Sequence, residues 1–220
     1  MQKYLGLMIS SSVLLLLVVL SVFSWHLRER YPELVELSYA APKATIFLAG
    51  ANEQVLRLPA HDTFTDLNGD GQYQDYEPFQ DLNKNEMFDP LYLAGFGKNR
   101  PASGLGEPLA VRALVLDDGE KRVAFVVADV IGLFRDEVFR LRRSLGDAAP
   151  DYIFLSATHT HSAPDVIGLW GPNLWTSGKD PHFMAILRRA MEDAVLEAMA
   201  GLEPVSLRFA KDVSASGGFI

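Results

Sequence analysis

The clearest evidence for the fold is the sequence LAVRALVLDDGEKRVAFVVA, which occupies residues 109–128. Two runs rich in aliphatic and β-branched residues, 109–116 and 122–128, flank the polar connection DDGEK. Two such runs joined by a short turn that contains glycine predict a β-hairpin. Both runs are apolar enough to be internal strands of a sheet.

Helix and strand patterns alternate after the hairpin. Apolar residues recur at helical spacing up to Leu145, and Gly146 predicts that this helix ends in a left-handed cap. The apolar positions of this helix are Phe134, Val138, Leu141 and Leu145. The sequence YIFLSA, residues 152–157, is almost continuously apolar and predicts a strand that is buried on both faces.

A second helix is predicted to begin at Asp180 and Pro181, which suit the N-cap and the first turn, and to end at Gly201. Its apolar stripe consists of Ile186, Leu187, Ala190, Met191, Ala194, Val195, Ala198 and Met199. Residues 44–48 and 205–209 are predicted as the first and last strands of the soluble part. The alternation predicts an α/β fold, with a mixed β-sheet and flanking helices.

The N-terminal region has the character of a membrane anchor. No charge occurs between Lys3 and His26, and residues 4–25 are numerous enough to cross a bilayer as a helix. Bulky and basic residues follow the apolar run, whereas a cleavage site requires small ones. We therefore expect an uncleaved transmembrane or signal anchor at 4–25, a stem at 26–42 and an extracytoplasmic domain at 43–220.

Composition narrows the possible functions. The 220 residues carry a net charge of −8 and no cysteine, which excludes disulfides, thiolate zinc sites and a cysteine nucleophile. Between Asp62 and Asp89 eight acidic residues stand against Lys84 alone, giving −7, so the rest of the chain is nearly neutral. This concentration argues against nucleic acid as a partner and for cation binding in an insertion at residues 62–90.

The sequence DLNGDGQYQDYE, residues 66–77, matches the calcium loop of EF-hands, with oxygen ligands at positions 1, 3, 5 and 12 and glycine at position 6. The predicted calcium ligands of this first loop are Asp66, Asn68, Asp70, Gln72 and Glu77. No helical pattern flanks the loop, which favours a stand-alone structural site over a sensor EF-hand. The alternative is a solvated acidic surface loop.

Fifteen residues later the pattern begins again, so the insertion is an internal repeat. The second loop has Glu86 at position 6 and Tyr92 at position 12, where glycine and a carboxylate are expected. We therefore predict a weaker second site, in which Asp89 at position 9 replaces the missing carboxylate. Its predicted ligands are Asp81, Asn83, Asn85 and Asp89.

The motif Thr158-His159-Thr160-His161 follows the predicted strand 152–157 directly. Two residues apart in extended backbone, the imidazoles would project to the same side and reach one metal ion or one substrate group. Zinc accepts imidazole nitrogen, and a catalytic zinc needs three protein ligands and an open position. Asp129 and Asp165 are candidates either to orient an imidazole or to cap a turn. Trp170 and Trp175 are candidates to line a pocket, to belong to the core or to form a membrane-facing rim.

The sequence SATHTHSAP, residues 156–164, and the preceding hairpin resemble the N-terminal part of the neutral/alkaline (non-lysosomal) ceramidase family, whose signature there is ATHTHSGPGG. The resemblance covers roughly residues 44–209. It implies that His159 is a zinc ligand and that His161 contacts the scissile amide and steadies its oxyanion. The reaction implied is hydrolysis of an N-acylsphingosine amide, or a related lipid or amide, by a zinc-activated water.

The chain departs from that family in two ways. Ala163, Asp165 and Val166 replace glycines of the signature, so the loop that borders the substrate differs. The family's remaining zinc ligands lie in parts that would follow Ile220, so we expect the chain to be inactive alone. One alternative is a metallo-β-lactamase-type hydrolase, but Ala163-Pro164 stands where that class has aspartate and histidine. A second alternative is an anchored calcium-binding domain with inert histidines.

Overall fold

The computed structural model describes residues 46–82, 84–104 and 106–208. Seven strands and two α-helices occur in them, with a short 3-10 turn after the first helix. The strands are β1 (Leu48–Val55), β2 (Thr63–Phe64), β3 (Phe79–Gln80), β4 (Ala110–Asp117), β5 (Arg122–Ala128), β6 (Tyr152–Ala157) and β7 (Glu203–Pro204), and the helices are α1 (Arg135–Leu145) and α2 (Pro181–Ala200).

The main sheet has the strand order β6-β5-β4-β1-β7. β4 and β5 form the predicted antiparallel hairpin, and both are internal strands. β5 and β6 are parallel, because α1 carries the chain back between them. The fold is therefore a mixed α/β fold with a mixed sheet, as the sequence predicts, while β2 and β3 form a separate two-stranded ribbon.

The core lies on one face of the main sheet. Val111, Val115 and Val126 are fully buried there, and the apolar stripe of α2 packs over β1 and β4. The opposite face is half exposed, and Phe125 and Phe154 stack on it with ring centroids 5.1 Å apart. The prediction that residues 152–157 are buried on both faces is therefore wrong, because the helices cover one side of β6 only.

The first and last strands are displaced from their predicted positions. β1 is Leu48–Val55, and its small residues reflect packing: a side chain at Gly50 would overlap the Ala198 carbonyl of α2. Tertiary packing thus overrides weak strand propensity. The last strand is Glu203–Pro204 rather than 205–209, and Val205 keeps a single backbone hydrogen bond to Phe47.

The predicted helix ends at Gly146 and Gly201 and the predicted start at Asp180 are confirmed, whereas Phe134, predicted as an apolar position of the first helix, is its N-cap and is 59% exposed. The Asp180 side chain accepts the Phe183 N–H at the start of α2, and Gly201 follows its last residue. Gly146 ends α1 with φ 54° and ψ −130°, a positive-φ conformation that favours glycine although it is not the left-handed helical pair. Within the described ranges no helix has the length and apolarity that a bilayer crossing requires. The predicted anchor at 4–25 and stem at 26–42 lie outside those ranges.

Candidate functional site

The histidine motif leaves the sheet at the end of β6. The Thr158 N–H still bonds to the Ala128 carbonyl of β5, but His159 has φ 61°, which is left-handed and not extended backbone. The predicted reason for the pairing is extended backbone, in which side chains two residues apart project to the same side. That reason is therefore wrong. The imidazole rings of His159 and His161 nevertheless lie side by side, with centroids 5.3 Å apart and an interplanar angle of 62°.

His159 is oriented by the loop that follows β5. Its Nδ1 lies 2.7 Å from the Ile131 carbonyl oxygen. A carbonyl can only accept, so Nδ1 carries the proton in this contact, and in the neutral ring Nε2 is the nitrogen with the free lone pair. A backbone carbonyl on the far nitrogen is the usual support for a metal-binding histidine, so the tautomer suits a ligand role.

His161 is held by a neighbouring loop that the sequence reading did not include. Gly95 has φ 81°, and a Cβ atom there would overlap the His161 ring. The Phe96 ring meets His161 edge-on at 4.7 Å. Arg100 donates to the Gly95 carbonyl at 2.8 Å and to the His161 carbonyl at 3.1 Å, and its guanidinium lies 5.2 Å from the Phe96 ring centre. In the sequence, the sign of this contact is the pair Gly95-Phe96, a glycine followed by an aromatic residue.

The ring separation fits a shared zinc ion. With Zn–N bonds of about 2.0 Å and tetrahedral angles, two imidazoles on one zinc hold their centroids about 5 Å apart. The observed 5.3 Å matches this spacing. The part of the chain that the structure describes contains no group of three or more His, Cys, Asp or Glu side chains that could hold a metal. The two imidazoles therefore have a spacing at which both could reach one metal ion or one substrate group, and the described residues do not complete a metal site.

The two candidate carboxylates bind backbone groups. Asp165 is fully buried, and it accepts the N–H groups of Ile167, Gly168 and Trp170 at 2.7 to 2.9 Å. Asp129 accepts the Ala110 N–H and a hydrogen bond from Arg112. These contacts give both carboxylates a role in shaping loops and strand ends.

The two tryptophans lie in different environments. Trp170 is half buried and packs against the core, whereas Trp175 is 95% exposed. A cavity of about 410 Å³ lies beside the histidine motif and is lined by Thr160, Ser162 and Asp129 among others. Neither histidine is among the residues that line it, so the structure does not bring the imidazoles into this cavity.

The first acidic loop is closed by two carboxylates, those of Asp66 and Glu77. Asp66 and Glu77 each accept two backbone N–H groups from the loop. The donors are Gly69 (2.6 Å) and Gly71 (2.8 Å) for Asp66, and Leu67 (2.8 Å) and Gln74 (2.9 Å) for Glu77. Gly69 and Gly71 have φ of 77° and 72°, so the glycines permit the tight turn.

The middle of this loop is arranged in the same way. Asn68 accepts the Asp70 N–H at 3.0 Å, and Asp70 accepts the Gln72 N–H at 2.8 Å. The Gln72 N–H lowers the pKa of Asp70, and the side-chain amides of Gln74 and Asn68 add to this against a desolvation effect. Asp70 is therefore anionic at neutral pH, as a calcium ligand must be.

The second loop repeats this backbone without the glycines. Asp81 accepts the N–H groups of Lys84 (2.6 Å) and Glu86 (2.8 Å), the counterparts of Gly69 and Gly71. Lys84 and Glu86 have φ of 61° and 63°, a strained conformation for residues with a Cβ. Asn85 bonds to Asp89 at 2.7 Å, while Asn83 lies outside the described residues.

Asp62 closes the second loop. It is 2% exposed, and its oxygens accept the N–H groups of Leu82 and Asp89, both at 2.9 Å. These donors correspond to Leu67 and Gln74, which Glu77 holds in the first loop. Counted from Asp62 and from Glu77, the two repeats are 62–76 and 77–91, so each repeat supplies the carboxylate that closes the other's loop. Asp62 is thus the closing counterpart of Glu77, while the role of Asp89 as a calcium ligand stays a prediction. The 15-residue repeat was recognised from the sequence, but it was not extended back to Asp62, which it pairs with Glu77.

Comparison with known proteins supports the fold alone. No protein-family model matches the chain. It is similar to the crystal structure of neutral ceramidase from Pseudomonas aeruginosa, with a TM-score of 0.52, 16% identity and coverage of 72% of this chain. A structure described as ceramidase complexed with C2 gives a TM-score of 0.50, 15% identity and the same coverage. The chain covers 22% of each of these proteins, so it has a ceramidase-like fold and spans a minor part of their length.

Proposed function

We propose that this chain is the N-terminal portion of a ceramidase-like zinc amidohydrolase that acts on an N-acylsphingosine or a related lipid or amide. The observation that carries the proposal is the pair of imidazoles at 5.3 Å, at the end of a strand in a ceramidase-like fold. The expected anchor at 4–25 would hold the domain at the extracytoplasmic face of a membrane, where such substrates reside.

The roles of the two histidines follow from their surroundings. His159 binds zinc through Nε2, since Nδ1 is engaged by Ile131. Zinc, when bound, supplies a Lewis acid and lowers the pKa of a water molecule. His161, half buried between Gly95 and Phe96, donates a hydrogen bond to the carbonyl oxygen of the amide as negative charge develops there. Arg100 keeps His161 in place from the main-chain side.

Zinc titration of the full chain tests this proposal. We expect weak zinc binding without turnover, because the described residues contain no group of three or more side chains that could hold a metal, and we expect His159→Ala to abolish it. His182→Ala is the matched control, because His182 is exposed in the first turn of α2 and belongs to no motif. Absence of zinc binding, or zinc binding that persists in His159→Ala, would contradict the proposal and favour inert histidines.

The acidic repeat supports a second proposed role, structural calcium binding. Each loop presents several oxygens on a closed backbone, and a hard cation requires six or more oxygen ligands. We expect calcium to raise the melting temperature, and Asp70→Ala to reduce both calcium affinity and thermal stability while leaving zinc binding unchanged. His159→Ala is the reciprocal control. A melting temperature that does not respond to calcium would remove this assignment.

A further inference from the structure

Two loops beside the histidine pair carry unusually exposed apolar side chains. Among the large hydrophobic residues that the structure describes, the three most exposed are Trp175 (95%), Phe96 (83%) and Leu174 (78%). Leu169 is also exposed. Phe96 contacts His161, so one of these side chains lies at the candidate site. We refer to the four exposed side chains of the two loops, Phe96, Leu169, Leu174 and Trp175, as the apolar surface. Exposed apolar surface of this kind indicates an interaction site.

The two loops hold each other and keep these side chains outside. The Asn99 N–H bonds to the Gly171 carbonyl at 3.0 Å, and the Lys98 ammonium donates to the Leu169 carbonyl. The Asn173 side chain accepts the Trp175 and Thr176 N–H groups at 2.8 and 3.0 Å. Each loop therefore has a defined conformation, and exposure of its apolar residues follows from that conformation.

The charges near this apolar surface are suited to lipid phosphates. The Lys98 ammonium lies between the two loops, and Lys179 is exposed beside Gly168, where an added Cβ atom would meet the Lys179 stem. Tryptophan and phenylalanine prefer the boundary between lipid headgroups and acyl chains, and cations beside them reach the phosphates. Single side chains at loop tips enter a fluid lipid layer without a matching cavity, whereas a protein partner would need one.

We infer that residues 96–99 and 169–175 dock onto a phospholipid bilayer, with Phe96, Leu169, Leu174 and Trp175 entering the interface. The acidic repeat is close by, since Asn99 also donates to the Tyr73 carbonyl at 2.7 Å. Its carboxylates would repel an anionic surface, so the lipid that fits both features is zwitterionic. Docking would hold the histidine pair at the membrane surface independently of the N-terminal anchor and of zinc.

A cysteine-free chain allows a direct test. Leu174→Cys, labelled with the environment-sensitive fluorophore NBD, is placed in the full chain and reconstituted in phosphatidylcholine vesicles with and without doxyl-labelled lipid. Glu120→Cys is the matched control, because it lies in the exposed β4–β5 turn, at the opposite end of the sheet from the histidines. We expect lipid quenching of the label at 174 and none at 120.

Trp175→Ala in the labelled chain should weaken this quenching, because losing one aromatic side chain that enters the lipid lowers partitioning into the bilayer about tenfold. Trp175→Phe should restore most of the quenching. Equal quenching at 174 and 120 would overturn the inference. So would a label at 174 that is shielded from aqueous iodide but not quenched by lipid, since that result indicates a protein partner or self-association. His159→Ala should dock normally, so failure of docking and failure of zinc binding are separable.

Discussion

The acidic repeat and the histidine region are assembled in opposite ways. In the first acidic loop, hydrogen bonds join residues two to ten positions apart. In the histidine region, His159 is held from 28 positions away and His161 from 61 positions away. A locally closed loop can be recognised from its own residues, whereas the geometry of the histidine pair depends on three separate loops around the sheet.

The difference also concerns burial. Most carboxylates of the repeat are exposed, with Asp62 and Glu77 as its buried exceptions, whereas the loop after the histidines is organised by the fully buried Asp165. Exposed hydrogen bonds contribute little net stability, while a buried donor left without an acceptor is costly. Damage in the histidine region should therefore affect the whole domain, and damage in the repeat should stay local.

The largest expected effect is that of Asp165→Ala. Three half-buried backbone N–H groups would lose their fully buried acceptor, and the free energy of unfolding should fall by about 3 kcal/mol. Zinc affinity should fall with it, because the same loop borders the histidines. Urea unfolding followed by circular dichroism measures the first quantity, and zinc titration of the folded variant measures the second.

Asp118→Ala is the matched control for burial. Asp118 also accepts two backbone N–H groups, from Glu120 and Lys121, but it lies in the exposed hairpin turn. Its loss should cost less than about 1 kcal/mol. If both variants lost the same stability, burial would not distinguish the two regions, and the contrast would fail.

The crossed closure of the repeat gives a smaller and local effect. In Glu77→Gln one oxygen becomes an NH2 group that faces a backbone N–H, so the Leu67 and Gln74 amides should exchange with solvent about tenfold faster. Asp62→Asn should do the same for the Leu82 and Asp89 amides. Native-state hydrogen exchange without calcium measures both, and global unfolding should change little.

Each of these two variants is the control for the other. If Glu77→Gln accelerates exchange equally in both loops, the repeat opens as a single unit and the two closures are not separate. If Asp62→Asn leaves the Leu82 and Asp89 amides protected, then Asp62 does not close the second loop. A calcium titration of the same variants would show which loop each carboxylate serves.

Residues with a local reason for their conformation were predictable. The hairpin, both helices with their C-terminal ends, the start of α2 and the first acidic loop follow from turn chemistry, periodicity and ligand spacing. Strand β1 was misplaced because glycine at position 50 does not favour a strand by itself. Its reason is the close approach of Ala198 in α2, 148 positions away. The histidine pair was predicted as neighbours for a wrong reason, since His159 is left-handed, and Gly95, Phe96 and Arg100 were missed because their role depends on tertiary contact.

Arg100→Lys is the smallest expected effect and the most specific test of distant assembly. The Arg100 guanidinium bonds to the carbonyls of Ala94, Gly95 and His161 and covers the Phe96 ring, which a lysine ammonium does not reproduce. The free energy of unfolding should fall by about 1 kcal/mol. Zinc affinity should be about fivefold lower, and calcium affinity should be unchanged. Arg112→Lys, which alters a half-exposed ion pair with Glu53, should leave both affinities unchanged. Unchanged zinc affinity in Arg100→Lys would mean that the histidine motif positions its own rings, and the histidine region would then be as locally determined as the acidic loops.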